Sequence, residues 1–310
     1  MMRSGQVGAV KHIFPMAAAL ALAAGLLRAE PVRVASLSTV MADFARDIGG
    51  DRVEVLEIVE PGVDPHAFEP SPGDYRAVAG AKVLLASGMG FEGYLDKMRQ
   101  AVAKDGVEVV VAGDVVEPIE AEQSCDGHGH DHSHHHHGSL DPHWWHSIGN
   151  ARLVAAQIRD AFVGADPAGK AEYEANAAKL DARLAGLAKW VRKQVAQLPK
   201  ASRVLVTSHD ALGYFAKDHG FEVMAVQGIS TEEQPSSRRV QELIGEIRGK
   251  GVKAIFAENI ENPKVLSEIT AETGAEPGGV LYADGLGTGN AGTYEGMMRS
   301  NVNTIVGALR

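Results

Sequence analysis

Four residues far apart in the chain share one placement and one chemistry. His66 follows the apolar run "VEVLEIV" in the loop "PGVDPHAFEPSPGD", and His143 stands in "LDPHWWHSI", downstream of "VEVVVA". His209 directly follows "RVLVTS", and Asp284 directly follows "GVLYA". Three neutral imidazole nitrogens and one carboxylate oxygen are an ordinary donor set for a tetrahedral zinc ion. A single carboxylate leaves one positive charge of a divalent cation uncompensated, which predicts tight binding at a site whose solvated mouth permits release. Such a nitrogen-rich set favours zinc over manganese, which prefers oxygen, while copper and nickel also accept three imidazoles. Affinity is expected to fall below about pH 6, where protons compete for imidazole.

The remaining histidines divide by context. His146, three residues after His143, is an auxiliary ligand if the segment is helical, and otherwise a surface residue or a partner of a ligating group. Trp144 and Trp145 are expected to pack on the cleft floor. Glu258, closing the run "KAIFAE", is placed to accept the second N–H of a ligating imidazole. His219 precedes Gly220 at a helix end, where an imidazolium complements the dipole and caps carbonyls. Seven of the thirteen histidines, His128, His130, His132, His134, His135, His136 and His137, fall in "GHGHDHSHHHHGS". That run has no apolar residue and predicts a loop that does not pack.

These positions have meaning only on the elements that present them. From Val32 onward short β-branched runs alternate with amphipathic segments, the pattern of a mostly parallel sheet covered by helices. In an open sheet of that kind ligands bind beyond the carboxyl ends of the strands, where all four residues stand. The alternation breaks around residues 122–140 and resumes at Arg203. Between the halves, Tyr173, Ala177, Leu180, Leu184, Leu187, Val191, Val195 and Leu198 recur at spacings of three and four, and Pro199 stops them. This predicts one stiff helix of about 28 residues, roughly 42 Å long. The expected fold is therefore α/β: two lobes, each a mostly parallel four-stranded sheet flanked by helices, joined by one long rigid helix. The lobes are expected at residues 30–168, carrying the histidine-rich loop 122–140, and 200–310, with the helix at 169–199.

Arg3 and Lys11, then the apolar run from Ile13 to Leu27 and small residues ending at Ala29, read as a signal peptide over residues 1–29. The apolar run is shorter than the roughly 20 residues of a spanning helix. Cleavage would release the chain into a bacterial periplasm. It would also remove three basic residues, His12 and no acid, taking the formal charge from −10 to three units lower. Such an acidic surface argues against nucleic acid as a partner. Cys125 is the only cysteine, which excludes an intramolecular disulfide and a thiolate-rich zinc site.

Together, "DPHAFEPSPGD", "DPHWWHS", "TSHDALGYFAKDHG", "GISTEEQPSSRRV", "FAENIENPK" and "YADGLG" resemble the periplasmic zinc-binding proteins of bacterial ABC importers, including AztC-type members. The resemblance spans essentially the whole mature chain. It implies metal held between two lobes by His66 and His143 from one and His209 and Asp284 from the other. It also implies a monomer that delivers Zn2+ to a permease in the inner membrane. Manganese-binding relatives carry a carboxylate where this chain has His209, and some zinc-binding relatives have a disulfide that this chain lacks. The histidine run then reads as an accessory that captures scarce zinc or docks a periplasmic zinc donor protein, since it ends six residues before His143. The alternatives are a manganese or iron importer component and a periplasmic zinc chaperone or buffer. A zinc hydrolase is disfavoured by the absence of HExxH and by four ligands spread over two lobes.

Overall fold

Eight strands and nine helices alternate among the described residues of the computed structural model, which are 30–120, 140–232, 234–260 and 264–310. The expected signal peptide, Cys125 and the histidine run lie outside the described residues. The N-terminal half runs β1 (Val32–Ser36), α1 (Thr39–Gly49), β2 (Val53–Glu57), α2 (Pro72–Ala79), β3 (Val83–Ala86), α3 (Leu95–Val102) and β4 (Glu108–Val111). Its four strands pair in parallel in the order β2-β1-β3-β4. Then come α4 (Ile148–Ala165) and α5 (Lys170–Val195). The C-terminal half runs β5 (Val204–Thr207), α6 (Gly213–His219), β6 (Glu222–Ala225), α7 (Ser237–Lys250), β7 (Ala254–Glu258), α8 (Lys264–Thr273), β8 (Glu276–Leu281) and α9 (Tyr294–Leu309). Here β5 pairs with β6 and β7 with β8, both in parallel. β5 runs close to β7, but no hydrogen-bonded ladder joins them, so among the described residues this half holds two two-stranded parallel sheets where one four-stranded sheet was expected.

Strand periodicity explains how each half is covered. In β1 and β3, Val34, Val83 and Leu85 face a central core, whereas Ala35, Leu84 and Ala86 face a second cluster with Val78 of α2 and Met98 of α3. In the other half Leu205, Ala254 and Phe256 face the central core, and Val206 and Ile255 face Leu243 of α7 and Ile269 of α8. The central cluster is one continuous body that takes in α1, α4, α5 and α9.

The helix ends are set by local chemistry. Ser38, Ser147, Ser236 and Thr293 cap α1, α4, α7 and α9 through their side-chain oxygens, each satisfying a backbone N–H that the first turn leaves unpaired. Ser71 and Asp74 form a reciprocal capping box on α2, with Pro72 at its first position, where a missing N–H costs nothing. The predicted long helix is present as α5, roughly 39 Å from end to end. It buries Tyr173, Ala177, Leu180, Leu184, Leu187, Val191 and Val195. A second long helix, α4, precedes it and is an addition to the sequence reading. Its signature is Ile148, Ala151, Val154, Ala155, Ile158, Ala161 and Phe162 after the Ser147 cap, an apolar stripe at helical spacing. No helix among the described residues is long and apolar enough to cross a membrane.

A core shared by both halves predicts cooperative unfolding. Leu187, on the buried face of α5, is 1% exposed. Replacing it by Ala should cost about 2–5 kcal/mol. Urea denaturation should show one transition at a lower midpoint, and two separated transitions would contradict a continuous core.

Candidate metal centre

The loops after the strands bring His66, His143, His209 and Asp284 together, with one donor atom from each lying within 4.8 Å of all the others. Asp284 Oδ1 lies 3.1 Å from His143 Nε2, 3.1 Å from His209 Nε2 and 3.6 Å from His66 Nε2. The Nε2 atoms of His143 and His209 are 3.3 Å apart. Four donors at about 2.0–2.1 Å from a tetrahedral cation stand about 3.3 Å from one another, so these edges fit a single ion.

Two of the imidazoles are aimed by a carboxylate. His143 Nδ1–H donates to Asp141 Oδ1 at 2.8 Å, and its backbone N–H donates to the same oxygen at 2.9 Å. His209 Nδ1–H donates to Glu258, which also accepts from the backbone N–H groups of Ser208 and His209 at 3.1 and 3.2 Å. Occupying Nδ1 fixes the tautomer and turns the Nε2 lone pair toward the shared point. Asp64 Oδ1 accepts the backbone N–H of His66 at 2.9 Å, as Asp141 does for His143. The sequence signal for this support is the repeated tripeptide Asp-Pro-His at 64–66 and 141–143. The sequence reading names neither Asp141 nor Asp64, whereas Glu258 stands as expected behind an imidazole.

Aromatic rings pack around two of the imidazoles. Phe91 packs edge-on to His66 and His143, at centroid distances of 4.9 and 5.8 Å. Trp145 packs against His143 at 5.3 Å, as a floor residue would, while Trp144 is buried in the central core. The site is enclosed rather than open to solvent through a wide mouth: the side chains of His143, His209 and Asp284 are at most 1% exposed and that of His66 is 5% exposed.

His146 is neither on the surface nor among the converging donors, which leaves the third place expected for it, as a partner behind them. It is 1% exposed in the short 3₁₀ turn Trp144–His146, and its Nε2–H donates to the Ala283 carbonyl at 2.8 Å. Burial lowers its pKa to about 4, so the ring stays neutral. His219 does lie in the last turn of α6 before left-handed Gly220. Burial, helped by the nearby Arg192 and Arg203 and opposed by Asp218, lowers its pKa, which favours the neutral ring over a dipole-complementing cation.

The charges at the centre reinforce one another. Burial works against charging His209, but the Asp284 and Glu258 carboxylates overcome it and hold its pKa well above the ordinary 6.5, as opposite charges at close range do. His143 is raised in the same way against burial by hydrogen bonds to Asp141 and Asp284. Burial alone would raise Asp284, yet the facing His209, helped by hydrogen bonds from His143 and His209 and by the nearby His66, draws it well below 3.8.

The chain matches the family described as "Zinc-uptake complex component A periplasmic" (ZnuA) over residues 34–308. The manganese-binding lipoprotein MntA of Bacillus subtilis is 34% identical over 319 residues, covering 100% of both chains. The iron-binding protein YfeA of Yersinia pestis is 31% identical over 279 residues, covering 89% of this chain and 86% of its own. Among solved structures, the periplasmic zinc-binding protein TroA of Treponema pallidum superposes with a TM-score of 0.80 at 27% identity, covering 91% of this chain and 99% of its own.

The raised imidazoles shift the expected pH dependence upward. His209 and His143 retain protons above pH 6.5. Those protons must leave when a cation enters, so binding tightens as pH rises through that range. Zinc affinity, measured by chelator competition from about pH 6 to pH 8, should keep rising past neutrality. A plateau beginning at about pH 6.5, the ordinary histidine value, would contradict the assignment of those shifts.

Proposed function

The chain belongs to the ZnuA family of periplasmic metal-binding components of ABC importers, and from that premise we propose that it carries Zn2+ on His66, His143, His209 and Asp284 to a membrane permease. The observation that carries this reading is the spacing of the four donors, together with the carboxylates that fix His143 and His209 as Nε2 donors. That spacing fits one tetrahedral ion. Three nitrogens and one oxygen favour zinc over manganese. The family is one of transport components rather than enzymes.

The second reading, a manganese or iron carrier, is favoured by the names of MntA and YfeA. His209 is the residue that separates the two. It offers a nitrogen donor backed by Glu258, which suits the softer zinc ion where a carboxylate would suit manganese.

The histidine run is assigned an accessory role, capturing zinc or receiving it from a periplasmic donor protein. Two described features support it. Glu120 and Leu140 pair in an antiparallel bridge, so the chain leaves and re-enters at one point, and Asp141, the support of His143, follows immediately. Leu140 also lines a cavity of about 310 Å³ shared with His66. The lobes at 30–168 and 200–310 are proposed to open little, because α5 and the central core tie them together.

Chelator competition with zinc, manganese and ferrous iron on the mature chain tests the assignment. One zinc per chain should bind far more tightly than manganese, and His209→Ala should weaken zinc by orders of magnitude. Because raw affinity places zinc above manganese at nearly any such site, uptake decides between the readings: a chain that restores manganese or iron uptake but not zinc uptake to cells lacking it would establish the second reading instead. Deleting residues 127–138 should preserve the tight site while removing weaker ones and slowing zinc acquisition when zinc is scarce. Loss of the tight site on deletion would place the cargo site in the run.

A further inference from the structure

Asp284 is the only anionic residue among the four donors, and it hangs from a loop with no regular structure of its own. That loop is fastened at three points. The Asn301 side chain of α9 accepts from the Tyr282 N–H at 2.9 Å and donates to the Tyr282 carbonyl at 2.8 Å. The Ala283 carbonyl accepts two N–H groups, Trp145 Nε1 and His146 Nε2, each at 2.8 Å. The Leu286 N–H donates to Thr39 Oγ1 at 2.8 Å. Gly285 lets Thr39 come this close, since a Cβ there would lie 2.6 Å from the hydroxyl.

The middle fastening governs the carboxylate. A peptide unit is planar, so holding the Ala283 carbonyl also sets the N–H and Cα of Asp284. A carbonyl oxygen has two lone pairs, and here both are used by buried donors from the other half of the molecule. Those donors lie on the 3₁₀ turn that begins directly after His143, and the His146 backbone N–H bonds back to the His143 carbonyl at 3.2 Å. Tyr294 of α9 donates its hydroxyl to the Trp145 carbonyl at 2.7 Å, steadying the same turn.

We propose that His146, which holds no metal itself, is a positioning residue that aims Asp284 at the three imidazoles by fastening the Ala283 carbonyl to the turn carrying His143. This makes His143 and Asp284 one preformed unit although they stand in opposite halves of the chain. The inference rests on the reading of Asp284 as a ligand. It differs from a general packing role because its effect must act through Asp284.

A double-mutant cycle read by zinc affinity, with the metal ion alone and a chromogenic chelator, tests this. His146→Phe keeps a buried ring and removes the N–H. It should weaken zinc by about 10–100-fold, the usual cost of removing the support of a metal ligand. His146→Gln retains an amide N–H near the position of Nε2 and should recover most of that loss. In an Asp284→Ala background, His146→Phe should change affinity by less than about twofold. Equal losses in both backgrounds, or no loss in the parent, would overturn the proposal. Should His146→Phe not fold, Trp145→Phe removes the partner donor and must show the same dependence on Asp284. If Asp284→Ala alone leaves zinc affinity intact, the ligand reading falls and the positioning role with it. If Asp284→Ala weakens zinc and the His146 variants do not, only the positioning role falls.

Discussion

A carboxylate taken out of water must meet positive charge, and the upper edge of this molecule is organised around that requirement at Asp284. Its Oδ1 faces three imidazole Nε2 atoms, while its Oδ2 is buried with no hydrogen-bond partner. An unpaired buried charge costs several kcal/mol. Protons drawn onto His209 and His143 supply compensation in the absence of a cation, and a divalent ion supplies it more completely. The count of one carboxylate per site, natural from the ligand set alone, understates the field. Asp141 and Glu258 stand directly behind two of the imidazoles, so three acidic side chains converge on one small volume.

The fold meets this demand by repetition. Each half pairs its strands in parallel, as one four-stranded sheet in the first and two two-stranded sheets in the second, and parallel strands deliver their carboxyl ends to one edge. Two such edges facing one another place four loops around a point that neither half encloses alone. The arrangement holds its geometry because α1, α4, α5 and α9 share one apolar core with the inner faces of both sheets. Close-packed interiors deform little, so the spacing of the donors is inherited from helices that carry none of them.

Much of this was legible in the chain. The alternation of β-branched runs and amphipathic segments pointed to the sheets, the spacing of Tyr173 through Val195 to α5, and position after a strand picked out all four converging residues. The supports were less visible, for a physical reason. A ligand is recognised by its type, but a support is recognised by its contact. Asp141 was within reach, because Asp-Pro-His occurs twice. Trp145 and His146 were not, because their target is the Ala283 carbonyl, and every residue carries a carbonyl. His219 stands at the helix end that its neighbouring glycine marks, but the burial that disfavours its charged form is not visible in sequence.

The two sides of the centre are tied unequally across the halves. On the Asp284 side, Trp145, His146 and Thr39 all reach the loop from the opposite half, and Ser147 adds a bond to Asp218 of α6 at 2.7 Å. On the His66 side, Asp64 reaches across to Thr231 at 2.7 Å, and cavities of about 460 and 310 Å³ border that seam. A carrier faces two opposed demands: fixed donors for selectivity and a path by which an enclosed ion exchanges. On the proposed reading, the bonds beside Asp284 serve the first demand and the cavities beside His66 the second. Bonds between the halves thus cluster beside a buried carboxylate, a group that is costly to leave uncompensated.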